Sequence, residues 1–174
     1  MLCVAICQWD GIYCNELNTL VKIELPRLGL TGTISAELSV LSDLEIIDFS
    51  ENMLTGTIPL EVKRMPALKG FNVAFNKIHG AIDGFLPSLK MLNASHNELN
   101  TILPNFGLTS MMEILDISYN RLGGEIPSTM GAMEMVKHLD LSFNQFIGTI
   151  PHSFGDMHDL KGLFLNDNRY VVLE

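Results

Sequence analysis

Basic residues are scarce. Eleven Lys and Arg stand against 20 Asp and Glu, for a net charge of −9 over 174 residues. That shortage excludes a nucleic-acid backbone as partner, which demands clustered Lys and Arg. It also excludes a polybasic patch for a membrane surface. No apolar run approaches the ~20 residues of a membrane-spanning helix. The stretch 1–7 is apolar, but it is too short for a signal core and has no basic start. Aromatics make up only 7%, with a single Trp, and all three cysteines fall in the first 14 residues. The five histidines are scattered. No nucleophile, His and carboxylate share a frame, so no enzyme is expected. No cofactor motif is present, and none is expected.

What the chain has in abundance is one line of text. Ile114-Leu-Asp-Ile-Ser-Tyr-Asn-Arg-Leu-Gly-Gly-Glu-Ile-Pro127 recurs six times as apolar-x-apolar-x-x-Asn-x-apolar-x-Gly-x-Ile-Pro, and a fixed period decides architecture before any single residue does. The register is set by Asn52, Asn76, Asn97, Asn120, Asn144 and Asn168, spaced 24, 21, 23, 24 and 24 residues apart. Twenty-four residues before Asn52 lies Leu28, in the same frame. There are therefore about seven repeats, and one domain is expected.

Each slot has a physical role. Pairs such as Leu115/Ile117 and Leu139/Leu141 alternate with polar residues, the mark of a short half-buried strand. Such a strand buries its apolar face only by stacking on its neighbours in a parallel sheet. The Asn stands where the chain turns out of the strand, and its carboxamide can satisfy backbone groups in its own turn and the next. Gly32, Gly56, Gly80, Gly124 and Gly148 occupy a slot that a Cβ would hinder. Ile34, Ile58, Ile82, Ile126 and Ile150 are expected to point inward. Pro59, Pro127 and Pro151 are expected to end the extended stretch and to prevent helix there. Segments such as Leu60-Glu-Val-Lys-Arg-Met-Pro-Ala-Leu68 carry apolar residues three apart, which suits a 3₁₀ turn or one helical turn. Met65, Met112, Met133 and Met157 fall in core slots.

This frame resembles the plant-type leucine-rich repeat, whose Gly-x-Ile-Pro tail is specific to the class. The resemblance covers about 20–168. It implies an α/β fold: a right-handed, curved solenoid with a parallel sheet on the concave face and 3₁₀ or short helical turns on the convex face. Residues 1–20 form a partial N-terminal cysteine cap in this reading, and 21–174 the solenoid. Three cysteines by themselves leave a bridge, free thiols or a metal site open. Cys7-Gln-Trp-Asp-Gly-Ile-Tyr-Cys14 resembles the end of the family's cap. There the two cysteines are bonded and the Trp covers the first repeat's core. A Cys7–Cys14 bridge would contribute about 2.5 kcal/mol in the chain-entropy account. Cys3 is then left over. The frame fades after Asn168, with Val172 in the Gly slot and no C-terminal cap, as expected of a fragment of a longer chain. Repeats three and four are short, and irregularity is confined to 80–112.

The sheet's outward slots are the candidate site, since proteins of this type bind there. The central slot reads Glu24, Asp48, Asn72, Asn93, Asp116, Asp140 and Phe164, an ordinary composition for such a repeat and no metal or catalytic set. A second row, Glu45, Lys69, Lys90, Glu113, Lys137 and Lys161, mixes signs and is expected to pair across strands. The slot before the Asn holds Phe75, His96, Tyr119 and Phe143, with Met91, Ile114 and His138 on the same face. Aromatic residues in a row are anchors for a protein or peptide. Asn93-Ala-Ser95 is the single N-glycosylation acceptor sequence. The resemblance implies an extracellular or cell-surface recognition module of a receptor-like protein or receptor kinase, whose parent chain is tethered to a membrane. A stand-alone secreted inhibitor, of the polygalacturonase-inhibiting kind, or a protist surface antigen shares the repeat.

Overall fold

The computed structural model describes residues 6–82, 88–103 and 111–170. Cys3, residues 83–87 at the end of repeat three, the later part of repeat four at 104–110 and the fading frame at 171–174 lie outside the described residues. Strands are numbered β1 to β14 in chain order. The main sheet runs β1 (Ile12–Cys14), β2 (Leu20–Glu24), β4 (Ile46–Asp48), β6 (Gly70–Asn72), β8 (Met91–Asn93), β10 (Ile114–Asp116), β12 (His138–Asp140) and β14 (Gly162–Phe164). From β2 onward every pairing is parallel and in register: Leu92, Leu115, Leu139 and Leu163 face one another across neighbouring strands. The inward residues of the frame, Ile47 and Val73 through Leu139 and Leu141, are fully buried in one continuous core. Met65, Met112, Met133 and Met157 are buried with them, where a flexible thioether fills gaps between turns. The fold is the expected solenoid, with the sheet on its concave side.

Among the described residues, the convex side carries 3₁₀ turns at Ala36–Val40, Ser128–Ala132 and His152–Asp156, and one α-helical turn, α1 (Leu60–Lys63). The expected role of proline needs correcting. Pro59, Pro127 and Pro151 do not hold helix off; each is the N-cap residue of its turn, with φ of −60°, −63° and −61°. A ring-fixed φ and a missing N–H are assets where a turn begins, because the first N–H groups have no partner within it.

The stretch after the Asn forms more structure than its sequence suggests. β3 (Thr31–Thr33) pairs with β5 (Met53–Thr55), β7 (His79–Gly80) with β9 (Glu98–Leu99), and β11 (Gly123–Glu125) with β13 (Gln145–Ile147), all parallel. This second set of ladders explains the Gly slot twice over. Gly56 has φ +77°, and a Cβ there would lie 2.8 Å from Thr33 Cγ2 of the preceding repeat. The glycine makes room for its neighbour's side chain as well as turning the chain.

Burial follows stacking. Ile34, Ile58, Ile82 and Ile126 are buried as expected, but Ile150 is 48% exposed and Leu163 is also exposed. Among the described residues, no strand pairs with β13 or β14 on the far side. At the other end Cys7 and Cys14 form a disulfide with Cα atoms 5.7 Å apart. Trp9, however, is 65% exposed and is not among the described residues packed against the core. It sits in a tight turn, donating to the Ile6 carbonyl at 3.1 Å and accepting from Ile12 N at 3.1 Å, and this turn sends the ring outward. The first repeat is covered instead by β1, antiparallel to β2, with Ile12 against the core.

Candidate functional site

The Asn ladder fixes the geometry of the site's edge. Asn120 donates through Nδ2 to the carbonyls of Ala94 (2.9 Å), Ser118 (3.0 Å) and Ile117 (3.1 Å), while its Oδ1 accepts from Leu99 N at 2.9 Å. Asn52, Asn76, Asn97, Asn144 and Asn168 repeat the pattern, each reaching one repeat back. Leu28, in the first repeat, has no carboxamide to reach back with, and its own N–H is received by Asn52 Oδ1 at 3.1 Å. Leaving such groups buried and unpaired would cost about 1–3 kcal/mol each.

The residue before each Asn adopts the left-handed conformation: Arg27, Glu51, Phe75, His96, Tyr119, Phe143 and Asp167 have φ of 51° to 58°. For a non-glycine residue this costs roughly 1–2 kcal/mol. Sequence pattern did not reveal it, because none of these residues is glycine. The bend holds because its N–H is engaged across the repeat, Tyr119 N donating to Ser142 O at 3.1 Å and Phe143 N to Asn166 O at 3.0 Å. Every side chain in the slot is thrown to the same side, three residues past the strand end.

The four rings thereby form a continuous stack. Phe75, His96, Tyr119 and Phe143 lie 4.0 Å apart, centroid to centroid, with interplanar angles of 11° to 12°. Phe75, Tyr119 and Phe143 are 51%, 43% and 36% exposed. The inner faces are spent on one another, so the row offers its edges and the Tyr119 hydroxyl to a partner. In the N-terminal part of the same slot, Arg27 grips Glu51 with two bonds of 2.6 Å. The guanidinium holds the Glu51 carboxyl below the usual carboxylate range, and Glu51 raises Arg27 in turn.

On the strands themselves, Met91, Ile114 and His138 are register partners in one outward row, Met91 half-buried and the other two exposed. Asp116 and Asp140 pair in the next outward row. Their Oδ1 atoms close the strand exits, accepting from Ser118 N and Oγ (3.0 and 2.7 Å) and from Ser142 N and Oγ (2.9 and 2.6 Å). Asn93 does the same with Ser95 (3.1 and 2.8 Å), so its amide lies half-buried between Asn72 and Asp116. The charged row at the strand starts pairs as expected: Lys69–Glu45 at 2.7 Å, and Glu113 between Lys137 (2.6 Å) and Lys90 (3.6 Å). The bond from Lys137 lowers the Glu113 carboxyl and raises the lysine.

The structure thus brings the candidate residues together as two parallel strips, rings past the strand ends and apolar residues on the strands, with a polar row between. No group of three or more His, Cys, Asp and Glu suited to a metal occurs among the described residues. No described helix is long and apolar enough to cross a membrane.

Known proteins share both repeat and shape. The leucine rich repeat models match residues 110–169 and 43–65. The crystal structure of a pollen receptor kinase 3 is 33% identical, with a TM-score of 0.86, over 95% of this chain and 82% of that one. The ectodomain of the Arabidopsis receptor kinase HAESA, solved with an extended IDA peptide hormone ligand, is 27% identical with a TM-score of 0.88, over 94% of this chain and 29% of that one. The calmodulin-binding receptor kinase CaMRLK of Arabidopsis thaliana is 30% identical over 133 residues, 72% of this chain but 19% of that protein. The chain spans less than a fifth of the first curated relatives it matches. With seven in-register turns, a buried Asn ladder and a Gly-x-Ile-Pro tail, the chain belongs to the plant-type leucine-rich repeat family, of the kind that builds receptor ectodomains.

Proposed function

We propose that this chain is a non-catalytic recognition module that binds a peptide or protein along its concave face, as the extracellular part of a receptor-like protein or receptor kinase. The observation that carries the reading is the exposed ring stack Phe75–His96–Tyr119–Phe143 beside Met91, Ile114 and His138. None of these side chains is needed to fill the core, and aromatic and apolar groups displayed in line make anchors. The peptide seated on the HAESA ectodomain supports the class of ligand. The disulfide suits an oxidising compartment. The reading takes Asn93 as unmodified, since a glycan there would stand on the sheet between Asn72 and Asp116.

A random peptide library selected on the folded chain tests the proposal. Selected peptides should lose binding to Ile114→Arg and Tyr119→Ala and keep it with Glu61→Lys on the convex α1. Peptides indifferent to the concave substitutions would overturn it.

A further inference from the structure

We propose that the concave face over repeats five and six receives a basic side chain of its peptide partner, arginine or lysine, between Asp116 and Asp140 and against the edges of Tyr119 and Phe143. The inference rests on the concave-face reading above and names the chemistry of what binds. Ile114 and His138 stand on one side of the channel, Tyr119 and Phe143 on the other, all four exposed. This apolar surface has no counterpart in the core and wants a partner with aliphatic reach. The floor between the strips is Asp116 and Asp140, register partners in adjacent strands about 4.8 Å apart.

Charge complementarity selects the occupant. Each Asp spends one oxygen on its own Ser, and the other oxygen has no partner among the described residues. Asp48 and Glu24, the other carboxylates of that row, differ: the second oxygen of Asp48 takes Asn72 Nδ2 at 3.0 Å, and Glu24 pairs with Lys22 at 2.7 Å. Several carboxylates of the sheet and its turns meet cations: Glu24 with Lys22, Glu45 with Lys69, Glu51 with Arg27 and Glu98 with Arg121. Asp116 and Asp140 do not. Nor does the scaffold require their charge, because Asn93 closes the preceding strand exit with a neutral amide in the same two bonds.

A guanidinium fits this setting well. Its fork of five donors can engage both free oxygens, with the Tyr119 hydroxyl as a further acceptor. Its methylene stem would cover Ile114 and the ring edges. Lys137, just before β12, is already engaged by Glu113 and does not compete.

Two synthetic peptides test the assignment: acetyl-Gly-Leu-Arg-Leu-Gly-amide and its neutral counterpart with citrulline for arginine. Each is titrated into isotopically labelled chain and followed by amide shifts. The arginine peptide should perturb 114–119 and 138–143 and bind roughly tenfold more tightly than the citrulline peptide. The doubly substituted Asp116→Asn/Asp140→Asn chain should fold normally, as the Asn93 exit shows, and bind both peptides alike. Equal binding of the two peptides to the unaltered chain overturns the proposal, as does a preference that survives in the double variant. Library peptides that need Ile114 and Tyr119 yet carry no basic residue would also overturn it while leaving concave recognition standing.

Discussion

The slot before the ladder Asn holds an ion pair in its N-terminal part and a ring stack in its middle. Arg27 and Glu51 share their backbone geometry with Phe75, His96, Tyr119 and Phe143: positive φ, one repeat apart, side chains thrown the same way. One part of the slot is bound by two charge-assisted bonds, the other by stacked faces. The difference shows that the repeat dictates where a side chain stands and leaves its chemistry open. The adjacent Asn slot is the opposite case. There the chemistry is dictated too, because one carboxamide must accept from a buried backbone N–H and donate to carbonyls of two repeats at once.

Substitution at 119 and 120 therefore sharpens the contrast within a single repeat. Asn120→Ala should be the most damaging change considered, costing about 3 kcal/mol by leaving Leu99 N without its acceptor and taking one of two donors from each of the carbonyls of Ala94 and Ile117, which keep Asn97 and Asn144. Tyr119→Ala should cost less, about 1–2 kcal/mol, from two stacked contacts. Phe143→Ala, with one stacked neighbour, should cost about half of that. Urea midpoints of the three variants check the order. Equal midpoints for Asn120→Ala and Tyr119→Ala would mean that the ladder is not the buried device described.

The core was plain in the sequence because its rule is periodic and depends only on polarity: Leu115, Ile117, Asn120 and Ile126 all stand where the frame put them. The ring row and its neighbours could be listed for the same reason. What stayed hidden depends on things that polarity does not encode. The left-handed bend at Tyr119 is imposed by bonds to the next repeat, against the residue's own preference. The ladders β3–β5, β7–β9 and β11–β13 join segments too short to show alternation. Trp9 faces solvent because of the turn around it, though the resemblance to the family's cap implies it as a cover for the first repeat's core. Ile150 satisfies the frame and is still exposed, since burial comes from a neighbour and not from the residue. The serines that lock Asp116 and Asp140 were in view, two residues on, but only the geometry of the strand exit gives them their task.

The smallest expected effect separates the two chemistries of the slot by pH. The Glu51 carboxyl is held below its ordinary value by Arg27, so the folded state binds its proton less readily than the unfolded chain. A depressed folded value stabilises above the ordinary glutamate value, about 4.3, and that stabilisation is lost as pH falls through the folded value. Glu51→Gln should therefore be slightly less stable than the unaltered chain at neutral pH, and the gap should close in acid. Raising the salt concentration should close it as well, since both side chains are exposed. The deficit of Phe143→Ala has no carboxylate at its source, so it should persist in acid and in high salt. Thermal midpoints of both variants across the two conditions decide the matter. A Glu51→Gln deficit that survives acid would mean that Glu51 is held by packing, like the rings, and that the slot runs on one chemistry along its length.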